Sequence, residues 1–227
     1  MGNVKVCPKK VQKYIGQKLF GFNAGKHLAW AWNSGNNMIM FGPGGYGKSD
    51  AAELFHEFLV AEGALKAEDE YYVMSFGQGM TEERLLGGID MPTFQSEGDI
   101  IYLLKNAFVS YEYVIFEEMW DAFPAVLLIL KDILQSGYVR MGTQRMKVKT
   151  KFVVGCTNRS RKEVVEDDST EALMQRFCYE KEVNWSSWGT QDYSNAFKAA
   201  LGLDAYDIAQ ADCNIVAELC ERVSKAM

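Results

Sequence analysis

The run Gly42-Pro43-Gly44-Gly45-Tyr46-Gly47-Lys48-Ser49 sets the frame for everything else in this chain. It matches G-x-x-x-x-G-K-[ST], the pattern of a phosphate-binding loop. Before it stands Met38-Ile39-Met40-Phe41, an apolar run that stops at a glycine turn and so reads as a buried strand. After it, Ser49 to Val60 places Leu54, Phe55, Phe58 and Leu59 on one helical face. Glycines let the backbone curl until its N–H groups converge on an anion. The positive end of the following helix points at the same anion. Lys48 then reaches the β- and γ-phosphates of a nucleotide, and Ser49 holds Mg²⁺. The expected binding set for a nucleotide is Gly42, Pro43, Gly44, Gly45, Tyr46, Gly47, Lys48, Ser49 and Asp50. Gly21 to His27 mimics the pattern but has one residue too few between its glycines, and His where Ser or Thr is needed.

The rest of the chain supplies a sheet for this loop. Residues 71–76, 113–116, 152–156 and 177–183 read as further strands, and 99–109 and 123–134 as helices. Residues 138–146 read as a hairpin. Strands alternating with helices predict an α/β fold with a parallel sheet covered on both faces. Two amphipathic stretches, 191–203 and 208–223, predict a small helical lid over 189–227, after an α/β domain over 1–188.

Three strand ends carry chemistry. Tyr113-Val-Ile-Phe ends in Glu117 and Glu118. The first acid suits Mg²⁺ and the second suits a catalytic water. Lys151-Phe-Val-Val-Gly-Cys ends in Thr157 and Asn158, which brings an amide to the same sheet edge. Arg176 follows a helical stretch and precedes a strand, where it is either a surface residue or an arginine offered to a neighbouring subunit's nucleotide. The predicted catalytic set is Glu118 and Asn158, joined by Arg176 in the second of these readings, and the predicted metal ligands are Ser49 and Glu117.

Composition narrows the class. The 227 residues are 48% hydrophobic, enough for one full core. The longest apolar run, Ala122 to Leu130, is too short to cross a membrane. Five scattered cysteines form no C-x-x-C pair, which argues against a zinc ribbon and for reduced thiols in a cytoplasm. The two histidines are isolated, so no triad or histidine metal site is expected. Net charge is −6, yet the 49 residues before Asp50 hold seven lysines and no acid. Arg140 to Lys162 is likewise free of acids. That second stretch is either a positive hairpin lining a pore, for nucleic acid or an acidic polypeptide, or a solvated hairpin.

Together these elements resemble AAA+ ATPases, most nearly the MoxR-like and dynein-related branch. The likeness runs from about residue 15 to 185 and includes Leu19 to Ala29, Met80 to Asp90 and Phe116 to Leu134. It implies a P-loop NTPase core with a five-stranded parallel sheet and a short C-terminal helical lid. It also implies a homo-oligomeric ring, commonly a hexamer, with ATP hydrolysed between subunits and a protein or nucleoprotein partner remodelled. A nucleic-acid motor and a nucleotide-gated assembly module are the alternatives. By the resemblance Asn158 is sensor 1 and Arg176 the arginine finger. No sensor 2 arginine is assigned; Arg222 is the only arginine after Arg176.

Overall fold

The structure, a computed structural model, describes residues 4–19, 21–141, 144–166, 168–184, 188–194, 217–218 and 220–221. Its elements run α1 (Pro8–Lys18), α2 (Gly25–Ser34), β1 (Met38–Phe41), α3 (Lys48–Ala61), β2 (Tyr71–Ser75), α4 (Glu82–Leu86) and α5 (Met91–Glu97). They continue with β3 (Tyr113–Glu117), α6 (Pro124–Ser136), β4 (Tyr138–Met141), β5 (Gln144–Lys147), β6 (Phe152–Thr157), α7 (Arg161–Val165), α8 (Asp168–Met174) and β7 (Tyr179–Glu182).

Five strands form one sheet in the order β2-β3-β6-β1-β7, and every pairing is parallel. Period-two alternation splits its side chains between two cores. Tyr113, Ile115, Phe152 and Val154 pack with Met38 and Met40 against Val11, Ile15, Leu28, Trp32, Phe55 and Leu59 of α1, α2 and α3. Val114, Phe116 and Val153 face the other way, against Val126, Leu127 and Leu130 of α6 and Leu173 of α8. A sheet buried on both faces needs the near-continuous apolar strands that the sequence supplies. The one phenol deep in the first core is satisfied, because Tyr113 donates to the carbonyl of Ala52 at 2.7 Å.

All five expected strands are present. The hairpin is an antiparallel ribbon of β4 and β5, separate from the sheet. The expected helix over 99–109 is not formed. Ile89 and Tyr102 make an antiparallel bridge, Asp90 donates to Ile101, and Leu103 donates to Gly88. Those backbone groups are therefore unavailable to a helix. Only two turns of 3-10 helix follow, Leu104–Asn106 and Phe108–Ser110. The apolar spacing that suggested a helix buries Leu104, Ala107, Phe108 and Val109 instead and leaves Ile100 exposed. The expected helices 191–203 and 208–223, and with them Arg222 and the proposed lid, lie almost wholly outside the described residues. Where the described chain enters that region, Trp188 packs so tightly on Gly21 that a Cβ on the glycine would overlap the indole. No helix among the described residues is long and apolar enough to cross a membrane.

Candidate functional site

Parallel pairing puts the carboxyl ends of β1, β3 and β6 side by side. The chain leaves β1 for β2 at one edge of the sheet and returns to β7 on the other side of β1, so a crevice opens above β1 and β6. Gly42 to Ser49 fills that crevice. Gly45 and Gly47 take φ values of 78° and 73°, a left-handed conformation in which a side chain would be strained. Gly42, at φ 144°, packs under the end of β7, and a Cβ there would overlap the carbonyl oxygen of Val183. α3 then starts at Lys48, with Asp50 in its first turn, where an acid complements the helix dipole.

Lys48 is 6% exposed, and burial pushes its pKa down from the ordinary lysine value. Its Nζ donates to the carbonyls of Gly42 at 2.6 Å and Pro43 at 2.7 Å and to Asn158 Oδ1 at 3.0 Å. The last bond joins residues 110 positions apart and ties the loop to the end of β6. Glu117 closes the other side. Its Oε1 accepts from Ser49 Oγ at 2.5 Å, and its Oε2 accepts from Ser75 Oγ at 2.5 Å. Ser49, Ser75 and Glu117 thus form a compact set of hard oxygen donors, the chemistry that suits Mg²⁺.

Glu118 stands beside them. It is the one described non-glycine residue with positive φ, at 49°. Its Oε2 accepts from the Asn158 N–H at 3.0 Å and from Thr157 Oγ1 at 3.3 Å. A cavity of about 270 Å³ is lined by Gly44 to Asp50, Ser75, Glu117, Glu118, Cys156 and Asn158. The buried Cys156 thiol in its wall is pushed up to about 12, chiefly by burial, and stays protonated near neutrality.

The structure therefore brings together the predicted loop residues, Glu117, Glu118 and Asn158. Arg176 lies elsewhere. Its carbonyl accepts from Asn37 Nδ2 at 3.3 Å, at the amino edge of the sheet. The four residues of β1 separate it from the loop by about 13 Å along the strand. Its Nε is buried without a hydrogen-bond partner among the described residues.

Sequence reasoning missed three contributors. Ser75 is the register partner of Glu117, a fact visible only once β2 and β3 are paired. Thr157 is fully buried and bonds Glu118, although its position beside Asn158 was a usable signal. Arg159 Nε and Nη2 both donate to Asp121 Oδ1, at 2.9 and 2.6 Å, and staple the loop after β3 to the loop after β6.

Comparison with known proteins bears on the fold. Among solved structures, a mutant of RuvB from Thermotoga maritima superposes with a TM-score of 0.56 at 17% identity, over 97% of this chain and 62% of that one. A candidate ATPase from Cytophaga hutchinsonii aligns with a TM-score of 0.49 at 16% identity, over 92% of this chain and 58% of that one. The chain thus spans about three fifths of the length of either structure. No curated protein matches. Residues 37–177, more than half of the chain, match the model of the AAA domain in its dynein-related subfamily. With strand order, loop and paired glutamates in place, the chain belongs to the dynein-related subfamily of AAA domains.

Proposed function

We propose that the chain is a Mg-ATP-dependent ATPase that works as a homo-oligomeric ring, a hexamer by analogy with its family, and remodels a protein or nucleoprotein partner. The observation that carries this reading is the convergence of Lys48, Ser49, Glu117, Glu118 and Asn158 at one sheet edge, with Arg176 left at the opposite edge. In this reading the loop amides and Lys48 bind the phosphates, and Ser49 and Glu117 hold Mg²⁺. The bound cation supplies charge neutralisation at the phosphate oxygens. Glu118 orients and deprotonates the attacking water, and Asn158 fixes its position. Thr157 and the Asp121–Arg159 pair keep Glu118 and Asn158 in register. Arg176, whose backbone lies at the amino edge of the sheet, serves the nucleotide of the next subunit, where its charge stabilises the transition state.

Charge points to the chemistry of the partner. β4 and β5 stand apart from the main sheet and carry Arg140, Arg145 and Lys147, which favours a negatively charged segment of the substrate. Light scattering with and without a slowly hydrolysed ATP analogue tests the assembly. The expected result is an analogue-dependent rise in mass to a ring, with Arg176→Ala retaining nucleotide binding and losing turnover about 1,000-fold. A monomer that hydrolyses ATP, indifferent to Arg176→Ala, contradicts the proposal.

A further inference from the structure

The charge of this chain is segregated in a way the nucleotide site does not use. The first 49 residues carry +7 and the remaining 178 carry −13. α1 and α2 pack antiparallel. Val6 and Asn33 exchange two hydrogen bonds of 2.8 Å, and Gln12 bonds the backbone of Phe22 and Lys26. That register sets Lys9 opposite Ala29 and Trp30. Lys9 and Lys13 lie one turn apart, about 6 Å along the axis, on the exposed side of α1 next to α2. Lys26 and Trp30 are likewise one turn apart on the exposed side of α2 next to α1. Lys10 and Lys18 point to α3, where Glu62 and Glu57 neutralise them.

Lys5, Lys9, Lys13 and Lys26 have no ion-pair partner among the described residues. Trp30 is 44% exposed in their midst, its ring braced edge-on by His27 at 5.1 Å. The neighbouring edge strand β7 carries one cation, Lys181, between Glu180 and Glu182. By alternation Lys181 shares the face of Tyr179, which packs with the core under α2, whereas Glu180 turns to the other face and pairs with Arg161. An exposed aromatic ring set among cations that pair with no acid among the described residues has the makeup of a single-stranded nucleic-acid platform. The cations track phosphates and the ring stacks a base. A duplex hides its base faces, and a strand with unstacked bases offers them. A membrane surface fits less well. Trp30 and Val4 are the only large apolar side chains exposed before β1 among the described residues, far less than an inserted apolar face requires.

We propose that the α1–α2 face binds single-stranded nucleic acid through Lys5, Lys9, Lys13, Lys26 and Trp30, independently of nucleotide. The test is fluorescence anisotropy of a labelled 20-nucleotide strand with the full chain at 50 and 200 mM salt. Four phosphate contacts predict a slope of about −3 in log K against log salt, or about 50-fold weaker binding across that range. K9E/K13E/K26E should lose at least 50-fold at 50 mM, and Trp30→Ala about 10-fold. Both should keep the wild-type melting temperature and ATP affinity. Lys48→Ala should bind the strand as wild type does, which separates this site from the nucleotide site. No binding at 50 mM, an affinity indifferent to salt, or wild-type binding by either surface variant overturns the proposal. So does equal or tighter binding to poly-glutamate or to phosphatidylserine vesicles, which would identify an acidic polypeptide or a membrane as the partner.

Discussion

Lys48→Ala should weaken binding of a fluorescent ATP analogue at least 100-fold. Lys48 brings the one positive side chain buried in the loop, and its ammonium is already aimed into the crevice by three acceptors. A hydrogen bond to a charged group contributes about 1.5–3 kcal/mol, so losing two phosphate contacts removes about 3–6 kcal/mol. That corresponds to roughly a 100-fold to 10,000-fold loss of affinity. The substitution also leaves the carbonyls of Gly42 and Pro43 and the amide of Asn158 without their donor. The loop should therefore loosen as well, and melting temperature should be read alongside binding. Lys48→Arg separates the two effects. It keeps the charge, but its planar fork cannot point three donors at three acceptors as the ammonium does. Binding by the alanine variant at wild-type strength would remove the loop from the nucleotide site.

Glu118→Gln should leave ATP bound and cut turnover by about 100- to 10,000-fold, the span that general-base catalysis covers. The glutamine keeps the shape of the side chain, and its carbonyl oxygen can still accept from Thr157 and from the Asn158 amide. It loses only the basic oxygen. The backbone supports the same assignment. A left-handed conformation at a residue with a long side chain costs on the order of 1 kcal/mol and persists where the surroundings enforce it. Here Glu118 N–H donates to the Cys156 carbonyl at 2.8 Å, and Asp121 N–H donates back to the Glu118 carbonyl at 2.8 Å. The strain aims the carboxylate along the sheet edge toward Asn158. Single-turnover hydrolysis measured after rapid mixing checks the prediction, and a glutamine variant with wild-type turnover would reassign the base.

Much of this was legible in the residues alone, for identifiable reasons. β1, β3 and β6 are continuous apolar runs that end in a glycine loop or in polar residues. Such strands announce both themselves and their carboxyl ends, and the site is made of those ends. Residues 99–109 were misread because Leu104, Phe108 and their neighbours bury the same apolar face whether wound as an α-helix or laid as successive 3-10 turns. The difference lies in the distant partner, Gly88 to Asp90, which takes their hydrogen bonds. Ser75 escaped notice because its role depends on the register of β2 against β3. Asp121 and Arg159 escaped because opposite charges 38 positions apart meet only after two loops are stacked at one edge. Arg176 stands out by its place before a strand, and the structure sets its backbone at the amino edge of the sheet.

In the proposed ring, nucleotide is split only where the loop of one subunit meets Arg176 of another. Mixing two inactive variants, Lys48→Ala and Arg176→Ala, in equal amounts tests it directly by steady-state ATPase rate. In a head-to-tail ring, about a quarter of interfaces then join an intact loop to an intact arginine, so about a quarter of wild-type activity should return. A mixture no more active than its two components would rule out hydrolysis shared between subunits.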